Sequence, residues 1–186
     1  MKGSQQAELA LHRLALRNWR ILRLPVTALL TWITVEHLMG ADWVFLDHAN
    51  LALHEGGHVI TRWAGDTLQA LAGTLTQVLF PLLFTAYFIT RHDRFAAAAT
   101  TWWACQSLMS VARYMADART QRLPLVGGDV HDWNFLLRGW AQLDHAVEIA
   151  GWVKLVGLLG MVLLLGIMAW LALFPRPSDL RVSFRA

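Results

Sequence analysis

From Leu155 through Phe174 no residue carries a charge, and the stretch has the length of the roughly 20 apolar residues that take a helix across a bilayer. It belongs to the strongest of four apolar blocks, Ile149 to Phe174. The other three run from about Leu24 to Phe45, Leu68 to Thr90 and Phe95 to Met115. Charged residues make up 16% of the 186, where a soluble domain usually has about 25%. The expected fold class is an all-α membrane protein with about four transmembrane helices. An N-terminal amphipathic helix and one or two interfacial or re-entrant helices complete it.

Residues 1–23 hold Lys2, Arg13, Arg17, Arg20 and Arg23 against Glu8 alone. Arg13, Arg17 and Arg20 are spaced to share a helix face, as in a helix lying on an anionic leaflet. The expected division is a basic segment 1–23, a transmembrane domain 24–174 and a tail 175–186. Pro25 suits the first turn of the first span, and Pro175 and Pro177 close the last. Gly127 and Gly128 mark a turn in the polar connection after the third block.

Arg91 and Arg94 sit between the second and third blocks, and Arg176, Arg181 and Arg185 follow the fourth. The positive-inside rule puts these regions, and both termini, on the cytoplasmic side of a plasma or bacterial inner membrane. An even number of spans follows, so residues 46–64 do not cross completely. Residues 54–58 and 116–148 then share the opposite side. The basic residues flank apolar blocks instead of clustering with stacking aromatics, so the expected partners are membrane lipids and no nucleic acid. Cys105 is the only cysteine, which excludes internal disulfides and thiolate metal clusters and leaves it a small buried hydrophobe.

Between the first two blocks lies His54-Glu55-Gly56-Gly57-His58. On a helix, residues four apart share a face, so His54 and His58 can offer two imidazoles to one metal ion. Glu55, on the adjacent edge, can reach a water held there and act as general base and acid. Zinc is the expected cofactor. A catalytic zinc commonly takes a third protein ligand, and His131 and Asp132 are the candidates, since topology puts them on the same side as His54. Asp132 also reads as a helix N-cap. His48, Asp144 and His145 rank lower. Gln77 and Asn134 read as structural hydrogen-bonding groups, and Arg113 with Asp117, four apart, reads as a salt bridge.

A membrane-embedded His54-Glu55-Gly56-Gly57-His58 followed by Arg62-Trp63-Ala64-Gly65 and an apolar helix resembles the site-2-protease-type zinc metallopeptidases. Their motif is His-Glu-x-Gly-His, and Gly57 and His58 match its last two positions. The resemblance implies His54 and His58 as zinc ligands, Glu55 as general base and acid, and an aspartate on a later helix as third ligand. In that family the aspartate stands in a Leu-Asp-Gly context after a Leu-Pro stretch. Here Leu123-Pro124-Leu125 precedes Asp132, and Trp133 stands where the family has Gly. Family sites usually face the cytoplasm, the reverse of the side that the charge pattern gives.

The expected function is a zinc-dependent peptidase hydrolysing a membrane-proximal peptide bond. The rival is a non-enzymatic accessory subunit of a larger membrane complex, holding a structural metal or a histidine-ligated pigment or haem. A transporter fits poorly, because no repeat offers alternating access.

Overall fold

The structure, a computed structural model, describes residues 2–126 and 130–174; over residues 2–20 it describes the backbone and the Leu14 side chain. The face expected of Arg13, Arg17 and Arg20, the Gly127–Gly128 turn and the tail 175–186 lie outside the described residues. Among those described there is no strand. The helices are α1 (Lys2–Leu38), α2 (Leu46–Ile60), α3 (Asp66–Thr90), α4 (Arg94–Ala116), α5 (Asp132–Gly139) and α6 (Ala146–Leu173), with a 3₁₀ turn at Leu143–His145 before α6.

Three helical stretches are long and apolar enough to cross a membrane: Ile21–Leu38, Asp66–Thr90 and Leu143–Leu173. Their outer surfaces expose large apolar side chains, among them Leu83, Val156 and Leu163, each at least 60% exposed. Such a sheath suits hydrocarbon better than water. α4 is not among the three, although its 23 residues would span about 35 Å. Packing explains the deficit. α4 lies between α3 and α6, so it buries small and polar residues, Ala97, Ala98, Gln106 and Ser107, against protein instead of lipid.

The neighbour order across the bundle is α1, α6, α4, α3, α2, with α5 resting on α3 and α4. Trp102 and Met161, both fully buried, join α4 and α6 beside Ile33 of α1 and Val44, and Cys105 packs against them as a partly buried hydrophobe. Phe95, Met168 and Ala172 form a second contact towards the other end of α6. There Arg23 pairs with Asp93 at 3.4 Å.

Two expectations need correction. Pro25 does not open a helix: α1 runs through it from Lys2 to Leu38. Its ring nitrogen leaves one carbonyl, that of Ile21, without its helical donor, a loss that a long helix tolerates. Nor does the first helix reach Phe45. Gly40 adopts φ +92°, and the amides of Gly40 and Ala41 bond back to the carbonyls of His37 and Glu36. This is a glycine-terminated C-cap, and it leaves Asp42 and Trp43 in the connection to α2.

α2 is built inside out. Asp47, Asn50, His54 and Gly57 are buried, while Val59 and Ile60 are exposed. Its 15 residues cover about 22 Å, less than a hydrocarbon core of roughly 30 Å. Gly57 lets α2 approach α3 closely, because a Cβ there would collide with the Ala72 carbonyl and the Thr76 hydroxyl. Replacing Gly57 with Ala should therefore cost about 1–3 kcal/mol. Gly56→Ala, whose methyl meets open space, should be neutral or stabilise by up to about 1 kcal/mol. Unfolding of the two variants in detergent checks this contrast, and equal stabilities would rule out the close approach.

Candidate metal centre

The inward face of α2 sets the positions of two imidazoles. His54 and His58 lie one turn apart with ring centroids 4.7 Å from each other. Two features of α3 support them. Gly73 leaves room for the His54 ring, from which a Cβ would stand 2.6 Å. The Gln69 carbonyl oxygen lies 2.8 Å from His58 Nδ1. A carbonyl can only accept, so Nδ1 carries the hydrogen and Nε2 is turned to the interior.

The third group comes from α5. Asp132 Oδ2 stands 3.0 Å from His54 Nε2 and 3.2 Å from His58 Nε2. Helix α5 is fixed by burial of Trp133, Leu136 and Leu137 against Ala70, Val111, Met115, Ala146 and Ala150. These three residues share one face by their spacing. Trp133 is thus the anchor beside Asp132.

His131 does not join the cluster. It is the N-cap of α5, its Nδ1 accepting from the Asn134 amide at 3.3 Å. Its Nε2 points towards Asp117, 3.7 Å away, a distance too long for a hydrogen bond. Burial pushes the imidazole below its ordinary value although Asp117 and Asp132 oppose this, which agrees with the accepting Nδ1. Asp132 is accordingly the first residue of the helix and not its cap.

One oxygen of Asp132 therefore faces two imidazole nitrogens, and the arrangement needs a positive centre between them. If His58 is neutral, its Nε2 lone pair points at a carboxylate lone pair. A proton or a metal ion resolves the conflict. The donor atoms of His54, His58 and Asp132 all lie within 4.8 Å of one another, so the three can hold a metal ion. Bonds of roughly 2.0–2.2 Å at tetrahedral angles place donors about 3.3–3.6 Å apart, a few tenths of an ångström beyond the 3.0 and 3.2 Å observed. The Gln69 carbonyl on the far nitrogen of His58 is the kind of partner that orients a metal-binding histidine.

The cluster opens on a cavity of about 860 Å³ that Glu55, Tyr114, Gln77 and Arg62 also line, with Leu51, Val59, Val111 and Phe135 as apolar walls. Gln77 is buried and donates to the Ser107 carbonyl across α3 and α4, as a structural group would. Asn134 donates to the Ala118 carbonyl at 2.7 Å. His48 and His145 are exposed and outside the cluster, His145 lying 3.4 Å from Glu148 and Asp144 3.4 Å from Arg119. Arg113 and Asp117 do not pair. Arg113 donates to the Asp42 carbonyl and lies over the Trp43 ring. Asp117 accepts from Thr120 and from the amides of Arg122 and Leu123. An i,i+4 spacing permits a salt bridge, but a loop with unpaired amides competes for the carboxylate and wins it here.

Sequence reasoning did not single out two groups that the fold brings to this wall. Tyr114 touches Asp132, and a buried polar network runs behind the cavity. In the network Asp47 accepts from Gln106 at 2.7 Å, Ser110 at 2.5 Å and the Val44 amide at 2.7 Å. Asn50 donates to Gln106 at 2.8 Å and accepts from Trp103 at 2.9 Å. The signal available was the spacing of Asp47, Asn50 and His54 on one face of α2, which marks that face as buried if the helix sits in an apolar surround.

Burial alone would raise the Asp132 carboxyl, but hydrogen bonds from His54 and His58 and their charge outweigh it and hold it at about 2. The hydrogen bond and charge of Asp132 lift His58 above the ordinary 6.5 against its burial. In metal-free protein this pair stabilises the fold fully below the ordinary histidine value, and its contribution is lost as pH rises through the raised one. A metal ion requires His58 without its interior proton, so its binding strengthens over the same rise. Between about pH 6 and about pH 9, thermal stability should fall with pH in chelator and rise with pH in excess divalent metal. Parallel curves would separate the three residues from any metal. The chain matches no protein-family model, no curated protein and no solved structure.

Proposed function

We propose that this protein is a membrane-embedded, zinc-dependent peptidase of the site-2-protease type, hydrolysing a membrane-proximal peptide bond. The observation that carries the reading is the meeting of His54, His58 and Asp132 in one cavity with Glu55, where apolar side chains also form part of the lining. Two imidazoles and a carboxylate suit zinc, and three protein ligands leave its fourth position open, the mark of a catalytic site. Bound there, zinc would polarise a carbonyl and make a water more acidic. Glu55, next to His54 on α2 and half-buried in the same cavity, takes the proton from the attacking water and returns it to the leaving amine. The apolar walls admit an unwound stretch of a hydrophobic segment, whose carbonyls are free of helical hydrogen bonds.

The topology that goes with this reading has four spans, with α4, enclosed by its neighbours, joining α1, α3 and α6. Both termini lie in the cytoplasm, with the metal centre towards the opposite face.

The Glu55→Gln variant tests the reading in purified full-length protein. It should keep one zinc per chain while cleavage of a transmembrane peptide falls by at least about 100-fold, the range that a lost acid–base group produces. Retained cleavage would end the peptidase assignment. Stoichiometric zinc in a wild-type protein that cleaves nothing would favour the structural-metal subunit instead.

A further inference from the structure

Tyr114 stands in the last turn of α4 and reaches residue 132 at two points. Its hydroxyl oxygen lies 3.2 Å from the Asp132 amide, which donates to it, and 3.4 Å from Asp132 Oδ2. The amide is at the first position of α5, where helical N–H groups have no partner within the helix. With one lone pair of the phenol committed to that amide, its own O–H is free to point at the carboxylate. Main chain and side chain of Asp132 are thus tied to one atom, which restricts the rotation that would swing Oδ2 away from the histidines.

The ring adds a second set of contacts. It stacks on His131 at 4.1 Å between centroids and 24° between planes, and it meets the His54 ring edge-on at 5.6 Å and 81°. One side chain therefore touches a donor residue from α2 and a donor residue from α5, and it braces the cap that starts α5. Burial of Trp133, Leu136 and Leu137 places the helix. None of those apolar contacts acts on the carboxylate itself.

We infer that Tyr114 is the positioning residue of the metal centre, presetting the Asp132 carboxylate for the ion that His54 and His58 share. The inference rests on the metal-binding part of the proposed function and not on hydrolysis. Groups in this place characteristically change metal affinity 10–100-fold when removed. They act by holding a ligand in geometry that the metal would otherwise have to impose.

The test is zinc affinity of the full-length chain in detergent, read by competition with a chelating dye, for wild type and Tyr114→Phe. Phenylalanine keeps both ring contacts and removes only the hydroxyl. Affinity should fall by roughly 10–100-fold, while metal-free thermal unfolding shifts only by the one hydrogen bond that the Asp132 amide loses. The visible spectrum of cobalt-loaded protein should also change, since it reports ligand geometry. Tyr114→Leu, which loses the ring as well, should bind still more weakly. Unchanged affinity and spectrum in Tyr114→Phe overturn the inference. So does a fall in metal-free stability large enough to account for the weaker binding, because the hydroxyl would then serve the fold. A wild-type protein that binds zinc and cleaves no peptide removes the peptidase reading, with the affinity ratio still deciding the role of Tyr114. A wild type that binds no metal removes both.

Discussion

A carboxylate oxygen set against two imidazole nitrogens is an unstable arrangement unless something positive lies among them. Asp132 with His54 and His58 is such a set. The surrounding structure spends considerable effort in holding it. Gly73 gives up a side chain for the His54 ring, and the Gln69 carbonyl turns His58. Trp133, Leu136 and Leu137 clamp the helix that carries Asp132. Two of these devices come from α3 and the third from α5. A fold held together for its own sake would gain more by burying well-packed apolar groups in these places, because buried ion pairs contribute little net stability.

The same logic extends along α2, which turns Asp47, Asn50 and His54 inward. In an apolar surround, buried polar groups must be hydrogen-bonded or they cost several kcal/mol each. The network that joins Asp47 and Asn50 to Gln106, Ser107 and Ser110 supplies those bonds. It also accounts for the polarity of α4: its polar residues serve as partners for α2, and α3 and α6 pack on either side of it.

The helical class and three spanning segments were legible because apolar blocks of bilayer length have no competing explanation. The pairing of His54 with His58 was legible because helix periodicity fixes it locally. The choice between His131 and Asp132 was not. Adjacent residues at a helix start point in different directions, and which one faces α2 depends on how the Trp133 face docks. Tyr114 was invisible for a related reason: an aromatic inside an apolar block reads as packing, and only its hydroxyl distances to residue 132, 18 positions away, reveal otherwise. The pairing expected of Arg113 and Asp117 failed because loop amides and the Asp42 carbonyl offered better partners. The end of the first helix was misplaced because the conformation of Gly40, not its neighbours' hydropathy, decides it.

Hydrolysis inside a membrane, on the proposed reading, sets two requirements that pull apart, since the peptide is apolar and the attacking molecule is water. A helix long enough to cross would carry its polar groups into the middle of the bilayer. One confined to an interface would meet only segments that have already left it. α2, at 15 residues, falls between these, and its inverted polarity lets polar groups line the inner side while Ile60 faces outward. The cavity lining holds both kinds of group, Glu55, Asp132 and Tyr114 together with Leu51, Val111 and Phe135. On that reading water needs to reach only the polar groups, and the peptide backbone only the apolar ones beside them. A short, inside-out helix is thus the element that lets both reactants arrive at one place without either being solvated in the wrong medium.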